Sequence, residues 1–289
     1  MIEIANSGMI SELKKVWKEC FHDEDSYIDF YYENRFSKVT TLVKRVDGII
    51  ASMLTLIPCA FVKNEISQPL YYVYAVATRN EYQKRGYAKE LILYAQQLAN
   101  KEGAKTFLVP ASKSLFSYYE KLGYQTAAYQ TIAGAETTKK MLESVEKLSA
   151  MEIADSIQIS ELTAKDFYEL REKHFTTEGY IRWDQEALSY LLEEYRFCGG
   201  VAWLITSEQH KGAILYHYIK EEKKLYVKET TLELQVLAQV LLHIGNQLDV
   251  AQVELKLKNG QDLGGEVKEF AMLSQSFSEN LGFVNLVKD

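Results

Sequence analysis

From residue 10 to residue 20 the apolar positions Ile10, Leu13, Val16, Trp17 and Cys20 recur at the spacing of one helix face. The stretch from Phe21 to Phe36 mixes acids with aromatics and reads as a loop leading into a second helix. Residues 40–45 and 48–57 predict strands, and Asp47-Gly48 between them is a hairpin turn signal. Residues 70–78, dense in Tyr and Val, predict a third strand. From residue 86 to about residue 100 the period becomes helical, with Ala88, Leu91, Ile92, Ala95, Leu98 and Ala99 on one side, and Gly103 closes the helix. A short strand (105–109), a short helix (115–121, closed by Gly123) and a strand region over 124–133 complete the first unit.

Residues 136–148 are charged, lack Gly and Pro, and predict a connecting helix. A second αβ pattern begins near Ile157. Its strands fall at 201–205, 212–219, 225–228 and 253–257, and its strongest helix at 232–248, where Leu234, Leu237, Ala238, Leu241, Leu242 and Leu248 recur. The chain therefore divides into domains 1–135 and 157–289 joined by a linker, 136–156. The octet Ser117-Tyr118-Tyr119-Glu120-Lys121-Leu122-Gly123-Tyr124 lines up with Ser276-Phe277-Ser278-Glu279-Asn280-Leu281-Gly282-Phe283. The order strand, long helix, strand, short helix, Leu-Gly-aromatic recurs in both halves and reads as a duplication.

Composition narrows the functional classes. The chain has 289 residues, 47% hydrophobic and 25% charged, which suits ordinary globular cores. Its net charge of −7, with no basic stripe, argues against nucleic acid as a partner. Cys20, Cys59 and Cys198 have no disulfide or metal-site spacing, and the histidines show no H-x-x-x-H pairing, so no metal is expected. The N-terminus has no signal-peptide pattern, and no apolar run approaches the ~20 residues of a membrane span. The expectation is a cytoplasmic protein without a membrane partner.

The chemistry-bearing segment is Gln83-Lys84-Arg85-Gly86-Tyr87-Ala88, between a strand and a helix. Backbone N–H groups at a helix N-terminus form a ready anion site, reinforced by the helix dipole. Gly86 allows strained dihedrals and close backbone approach. Ala88 is small, and Lys84 and Arg85 add positive charge in an otherwise acidic chain. The other reading of the hexapeptide is a strand–turn–helix connection with solvated basic residues.

Residues 71–124 resemble the GNAT family of N-acetyltransferases. The family pattern [RQ]-x-x-G-x-[GA] is matched by Gln83, Gly86 and Ala88, and its later F-Y-x-K-x-G-[FY] segment by Tyr118-Tyr119-Glu120-Lys121-Leu122-Gly123-Tyr124. The resemblance implies an α/β fold: two GNAT-like domains in tandem, each a mixed, mostly antiparallel sheet flanked by helices. It implies acetyl-CoA as co-substrate, its pantetheine held by main-chain groups at Val76, Ala77 and Thr78. The pyrophosphate would lie on Gln83, Lys84, Arg85, Gly86, Tyr87, Ala88 and Lys89. Asn80 stands where many relatives have Pro. Tyr119 matches the tyrosine that the family often uses as general acid; its alternative role is packing.

The acceptor implied is an amine, of a small molecule or a peptide. His22, Asp23, Glu24 and Asp25 are candidates for the general base, and solvated loop residues by the plainer reading. Tyr27, Phe30, Tyr31 and Tyr32 fit an acceptor pocket or a core equally. The second half lacks the phosphate turn: residues 227–235 contain no glycine, Glu229 and Glu233 would repel phosphate, and Ser278 replaces Tyr119. It reads as a degenerate domain without its own CoA site. The tandem arrangement resembles those of mycothiol synthase and of the N-terminal part of the enhanced intracellular survival proteins. In the latter the terminal carboxylate takes part in catalysis, which makes Asp289 a residue to place. The competing function is a non-catalytic acyl-CoA sensor of the same fold. The oligomeric state is not legible.

Overall fold

The computed structural model describes residues 1–133, 157–175, 179–257 and 266–274. The connecting helix expected at 136–148, the second octet and Asp289 lie outside the described residues.

The first half opens with β1 (Ile2–Ile4), α1 (Ile10–Phe21) and α2 (Asp25–Asn34). Helix α1 buries Leu13, Val16 and Trp17, the face its spacing predicts. It stops at His22, whose φ of 58° is left-handed and whose N–H returns to the Lys18 carbonyl. Most of the acidic, aromatic stretch is α2, which buries Tyr27, Ile28, Tyr31 and Tyr32. Those aromatics are core, one helix face packed around Trp17.

Strands β2 (Thr40–Val46), β3 (Ile49–Lys63) and β4 (Ile66–Thr78) form an antiparallel meander. Asp47 and Gly48 both take positive φ, 50° and 81°, as a type I′ hairpin turn requires. Strands β3 and β4 run farther than the sequence pattern suggests, meeting in a second hairpin turned at Asn64 and Glu65. Pro58 and Pro69 lie within this arm and mask it, because proline lacks the ladder's N–H donor. The half continues with α3 (Tyr87–Lys101), β5 (Lys105–Leu108), α4 (Lys113–Glu120) and β6 (Tyr124–Ala133).

The second half contains β7 (Gln158–Glu161), α5 (Ala164–Phe175), β8 (Tyr180–Arg182), α6 (Gln185–Phe197), β9 (Val201–Thr206) and β10 (Lys211–Ile219). It ends with β11 (Lys224–Thr230), α7 (Leu234–Gln247), β12 (Gln252–Leu257) and β13 (Glu266–Ser274). The strand pattern of the two halves is alike, with the parallel pair β4–β5 mirrored by β11–β12.

The halves share one 13-stranded sheet in the order β1-β2-β3-β4-β5-β13-β6-β12-β11-β10-β9-β7, with β8 paired to β3. Strand β13 enters the first half's sheet between β5 and β6, while β6 pairs with β12 of the second half. Each half thus completes its sheet with a strand of the other. One buried cluster spans both, joining Tyr72 and Phe107 to Trp183, Leu188, Leu215 and Leu273.

Candidate active site

Strands β4 and β5 are parallel over three pairs, from Leu70 with Lys105 to Tyr72 with Phe107. Beyond them β5 ends, while β4 continues to Thr78. The strands part, and a cavity of ≈ 300 Å³ opens between them. Val73, Tyr74, Ala75 and Val76 form one wall, and Leu108, Val109 and Ala111 another.

At this point β4 carries a bulge. Met53 pairs with Ala77 and Thr55 with Tyr74, so Ala75 and Val76 together face Leu54. Ala75 has φ 51°, an uncommon conformation for a residue with a Cβ. A bulge leaves its extra residue outside the ladder, and bulges recur beside active sites. Val76, expected from the sequence, lines the cavity, and Ala75, which the sequence does not flag, joins it. Ala77 and Thr78 stay in the ladder opposite Met53 and Ser52. Their carbonyls accept from the Ser52 hydroxyl at 2.7 Å and from the Gln83 amide at 3.2 Å respectively.

The turn after β4 is built from local bonds. Glu19 of α1 accepts from Arg79 Nε at 2.9 Å and from the Asn80 backbone N–H at 2.7 Å. A proline at position 80 would lack that donor. Gln83 Nε2 also donates to Asn80 Oδ1 at 3.1 Å, so the Gln83 side chain braces the turn. Lys84 and Gly86 then take left-handed φ of 61° and 84°. Gly86 is the N-cap of α3 and has no side chain to cap it, so the first N–H groups of the helix, at Tyr87, Ala88 and Lys89, face outward without a capping oxygen. A Cβ at Gly86 would meet nothing within 4 Å. The glycine is demanded by its φ, and the space in front of the helix end is open. Lys84, Arg85 and Lys89 are exposed around it, with Arg85 5.4 Å from the Tyr82 ring centre.

Tyr119 lies on α4 and lines the same cavity. Its ring is 5.2 Å from that of Tyr118 and 6.0 Å from that of Tyr124. Burial, helped by those two neighbours, pushes its pKa to about 12.

The cavity is also lined by Trp17 and Phe21 of α1 and by Asp23, which lies between α1 and α2. Trp17 Nε1 donates to Asp23 Oδ2 at 2.8 Å. Of His22, Asp23, Glu24 and Asp25, it is Asp23 that lines the cavity. Tyr27, Phe30, Tyr31 and Tyr32 are absent from the wall, and Phe30 instead stacks on Phe197 of α6 at 4.5 Å. Sequence reasoning missed Trp17, Tyr72 and Tyr74 as wall residues, because strand and helix periodicity marks them only as core.

In the second half the step from β11 to α7 is three residues, 231–233, against eight, 79–86, in the first. Thr231 and Leu232 are buried, and Leu232 fills the space beside Gly212. Glu229 faces no solvent and accepts from Arg171 Nε at 2.7 Å. The described residues of this half hold no counterpart of the Gly86 turn.

Residues 2–127 match the family described as the acetyltransferase (GNAT) domain. The fold is that of a tandem GNAT protein. A probable N-acyltransferase from Enterococcus faecalis superposes with a TM-score of 0.76 at 14% identity, covering 94% of this chain and 71% of that one. A GCN5-related N-acetyltransferase from Anabaena variabilis gives 0.71 at 18% identity, over 94% and 72% of the two chains. A tandem GNAT protein from the clavulanic acid biosynthesis pathway gives 0.54 at 12% identity, over 95% and 98%. No curated protein matches the chain. Among the described residues, no helix is long and apolar enough to cross a membrane.

Proposed function

We propose that the protein transfers an acetyl group from acetyl-CoA to a primary amine of a small molecule or peptide, by direct attack in a ternary complex. The observation that carries this reading is the meeting of the Ala75–Val76 bulge and Tyr119 at one cavity, on the strand that leads into the turn before the uncapped start of α3. Main-chain groups of Val76 and its neighbours Ala77 and Thr78 would hold the pantetheine. The backbone from Gln83 to Lys89, with the Lys84, Arg85 and Lys89 side chains, would hold the pyrophosphate. Tyr87 and Ala88 contribute N–H groups, and the small side chain of Ala88 leaves access. The freed backbone at the bulge suits the oxygen of the thioester, where negative charge develops as the amine attacks. Tyr119, held neutral by burial, can donate a proton to the departing sulfur. Trp17, Tyr74 and Asp23 in the cavity wall offer aromatic faces and a carboxylate to an incoming amine. No step of this scheme calls for a metal.

Calorimetric titration with acetyl-CoA, of the native protein beside Gly86→Glu, tests the reading. The glutamate sets a carboxylate at the helix start in a strained conformation. Native binding in the micromolar range, weakened about 100-fold or more in the variant, is the expected result. A native protein, freed of copurified ligand, that does not bind acetyl-CoA would remove the basis for the transferase.

A further inference from the structure

A chain of hydroxyls leads out of the cavity into the second half. Tyr74 lines the cavity, and its hydroxyl lies 3.5 Å from that of Tyr27. Tyr27 donates to Glu194 Oε1 at 2.6 Å, and Tyr190 donates to the same oxygen at 2.9 Å. Glu194 belongs to α6, so the carboxylate comes from the half that lacks a phosphate turn. We propose that Glu194 takes up the proton that the acceptor amine must lose, through the hydroxyls of Tyr74 and Tyr27.

The surroundings suit such a path. Trp17 packs against both tyrosines, with ring centres 6.3 Å from Tyr27 and 5.9 Å from Tyr74, and shields them from bulk water. Tyr31 flanks Tyr74 at 6.0 Å, and the buried Arg35 lies 4.8 Å from the Tyr190 ring, so Tyr31, Tyr190 and Arg35 are the further titratable or charged groups around Glu194. Burial is the main reason that Tyr27, Tyr74 and Tyr190 all titrate above the ordinary tyrosine range, which leaves them neutral relays and not ionised bases. At 3.5 Å the two hydroxyls are farther apart than the roughly 2.7 Å of an ordinary O–H···O bond, so the contact must tighten for a proton to pass. Catalytic hydrogen bonds of free enzymes commonly shorten when substrate is bound. Joining α2 to α6 does not by itself require this network, since Phe30 already stacks on Phe197 and packs 5.9 Å from Tyr190.

The proposal rests on the transfer reading above, and its protons balance. The ammonium gives one proton to Tyr74 as Tyr74 passes its own to Tyr27 and Tyr27 passes its own to Glu194. Both tyrosines end neutral, the nitrogen gains a free lone pair, and Glu194 becomes a carboxylic acid. As the C–N bond forms and the C–S bond breaks, the sulfur takes the Tyr119 proton, and the second nitrogen proton restores Tyr119. Glu194 then returns one proton to solvent per turnover. Glu194 touches no substrate and acts through Tyr74, so it is a positioning residue.

The test is acetylation of 1,4-diaminobutane, tyramine, glycinamide and lysine by acetyl-CoA, followed from pH 6.5 to 10, as on the order of any aliphatic amine titration. Native protein is set beside Glu194→Gln and Tyr27→Phe. Glutamine keeps an oxygen that accepts both hydroxyls but cannot take the proton, and phenylalanine keeps the packing but breaks the path. Both variants should lose roughly 100-fold in kcat/KM near neutral pH. The deficit should close as pH rises and the amine arrives neutral, with melting temperature and acetyl-CoA affinity unchanged. A deficit constant across pH, or none, would overturn the proposal while leaving the transferase standing. Absence of turnover with every amine would overturn both. Acetyl-CoA affinity measured on the same samples shows whether the cofactor site also fails.

Discussion

Tyr119 gains its chemistry from where it is held. A tyrosine on the surface would sit near its ordinary pKa of about 10. Here burial moves it to about 12, so the phenol remains a proton donor throughout the range in which an amine acceptor titrates. Replacement by phenylalanine keeps the ring against Tyr118 and Tyr124 and removes the proton. The expected result is a fall in kcat of roughly 10- to 100-fold with acetyl-CoA affinity unchanged, read from initial rates and calorimetry. The same shift has a sign for stability. A folded-state pKa above the unfolded value means a contribution fully present below pH about 10 and lost as pH rises through about 12. Tyr71, Tyr124 and Tyr216 are also raised to about 12, mainly by burial, so alkaline unfolding should set in over that window. Ala75 is the residue-scale feature with no counterpart in the sequence, since nothing in an alanine announces a φ of 51°.

At the scale of elements, the turn from β4 to α3 is held by α1. Glu19 fixes Arg79 and Asn80 from outside the turn, and Gln83 closes it from within. Glu19→Ala should free both ends, and with no preformed donor row the acetyl-CoA affinity should drop about tenfold. The melting temperature should move by no more than a few degrees, because Glu19 is part-exposed. An unchanged affinity would show that the turn holds its own shape. The turn itself was legible because its determinants are local: a glycine at positive φ, a strand before it and a helix after it. The α1 face and the Asp47-Gly48 hairpin were legible for the same reason. The arm beyond Ile57 was hidden by Pro58 and Pro69, whose strand positions are tolerated because Pro58 falls between the stretches of β3 that pair with β2 and β8, and Pro69 just before the stretch of β4 that pairs with β5. The participation of Glu194 was equally hidden, because 167 residues separate it from Tyr27 and only the docking of α6 on α2 brings them together.

At the scale of the whole molecule, the halves are separable along the chain and not in the sheet. Ala271, Met272 and Leu273 of β13 are buried, Met272 in the core beneath α3 and the other two in the cluster common to both halves. Without β13, β5 and the first part of β6 would face each other across a gap as wide as a strand, with their N–H and C=O groups unpaired. The walls of the cavity depend on that closure, since β5 sets the position of Leu108, which lines it. A chain cut after residue 257 keeps all of 1–133 and loses β13. It is expected to lose acetyl-CoA binding and to aggregate, and a separately made 1–135 piece to do the same. In the intact protein, amide exchange in β2–β4 and in β9–β11 should rise together with denaturant, as one cooperative unit. Two exchange transitions, or a 1–135 piece that folds and binds acetyl-CoA, would show that the strand exchange decorates two independent domains. The second half then has a physical reason to persist without a phosphate turn: it closes the first half's sheet with β13, braces its long hairpin with β8, and sets Glu194 behind the cavity.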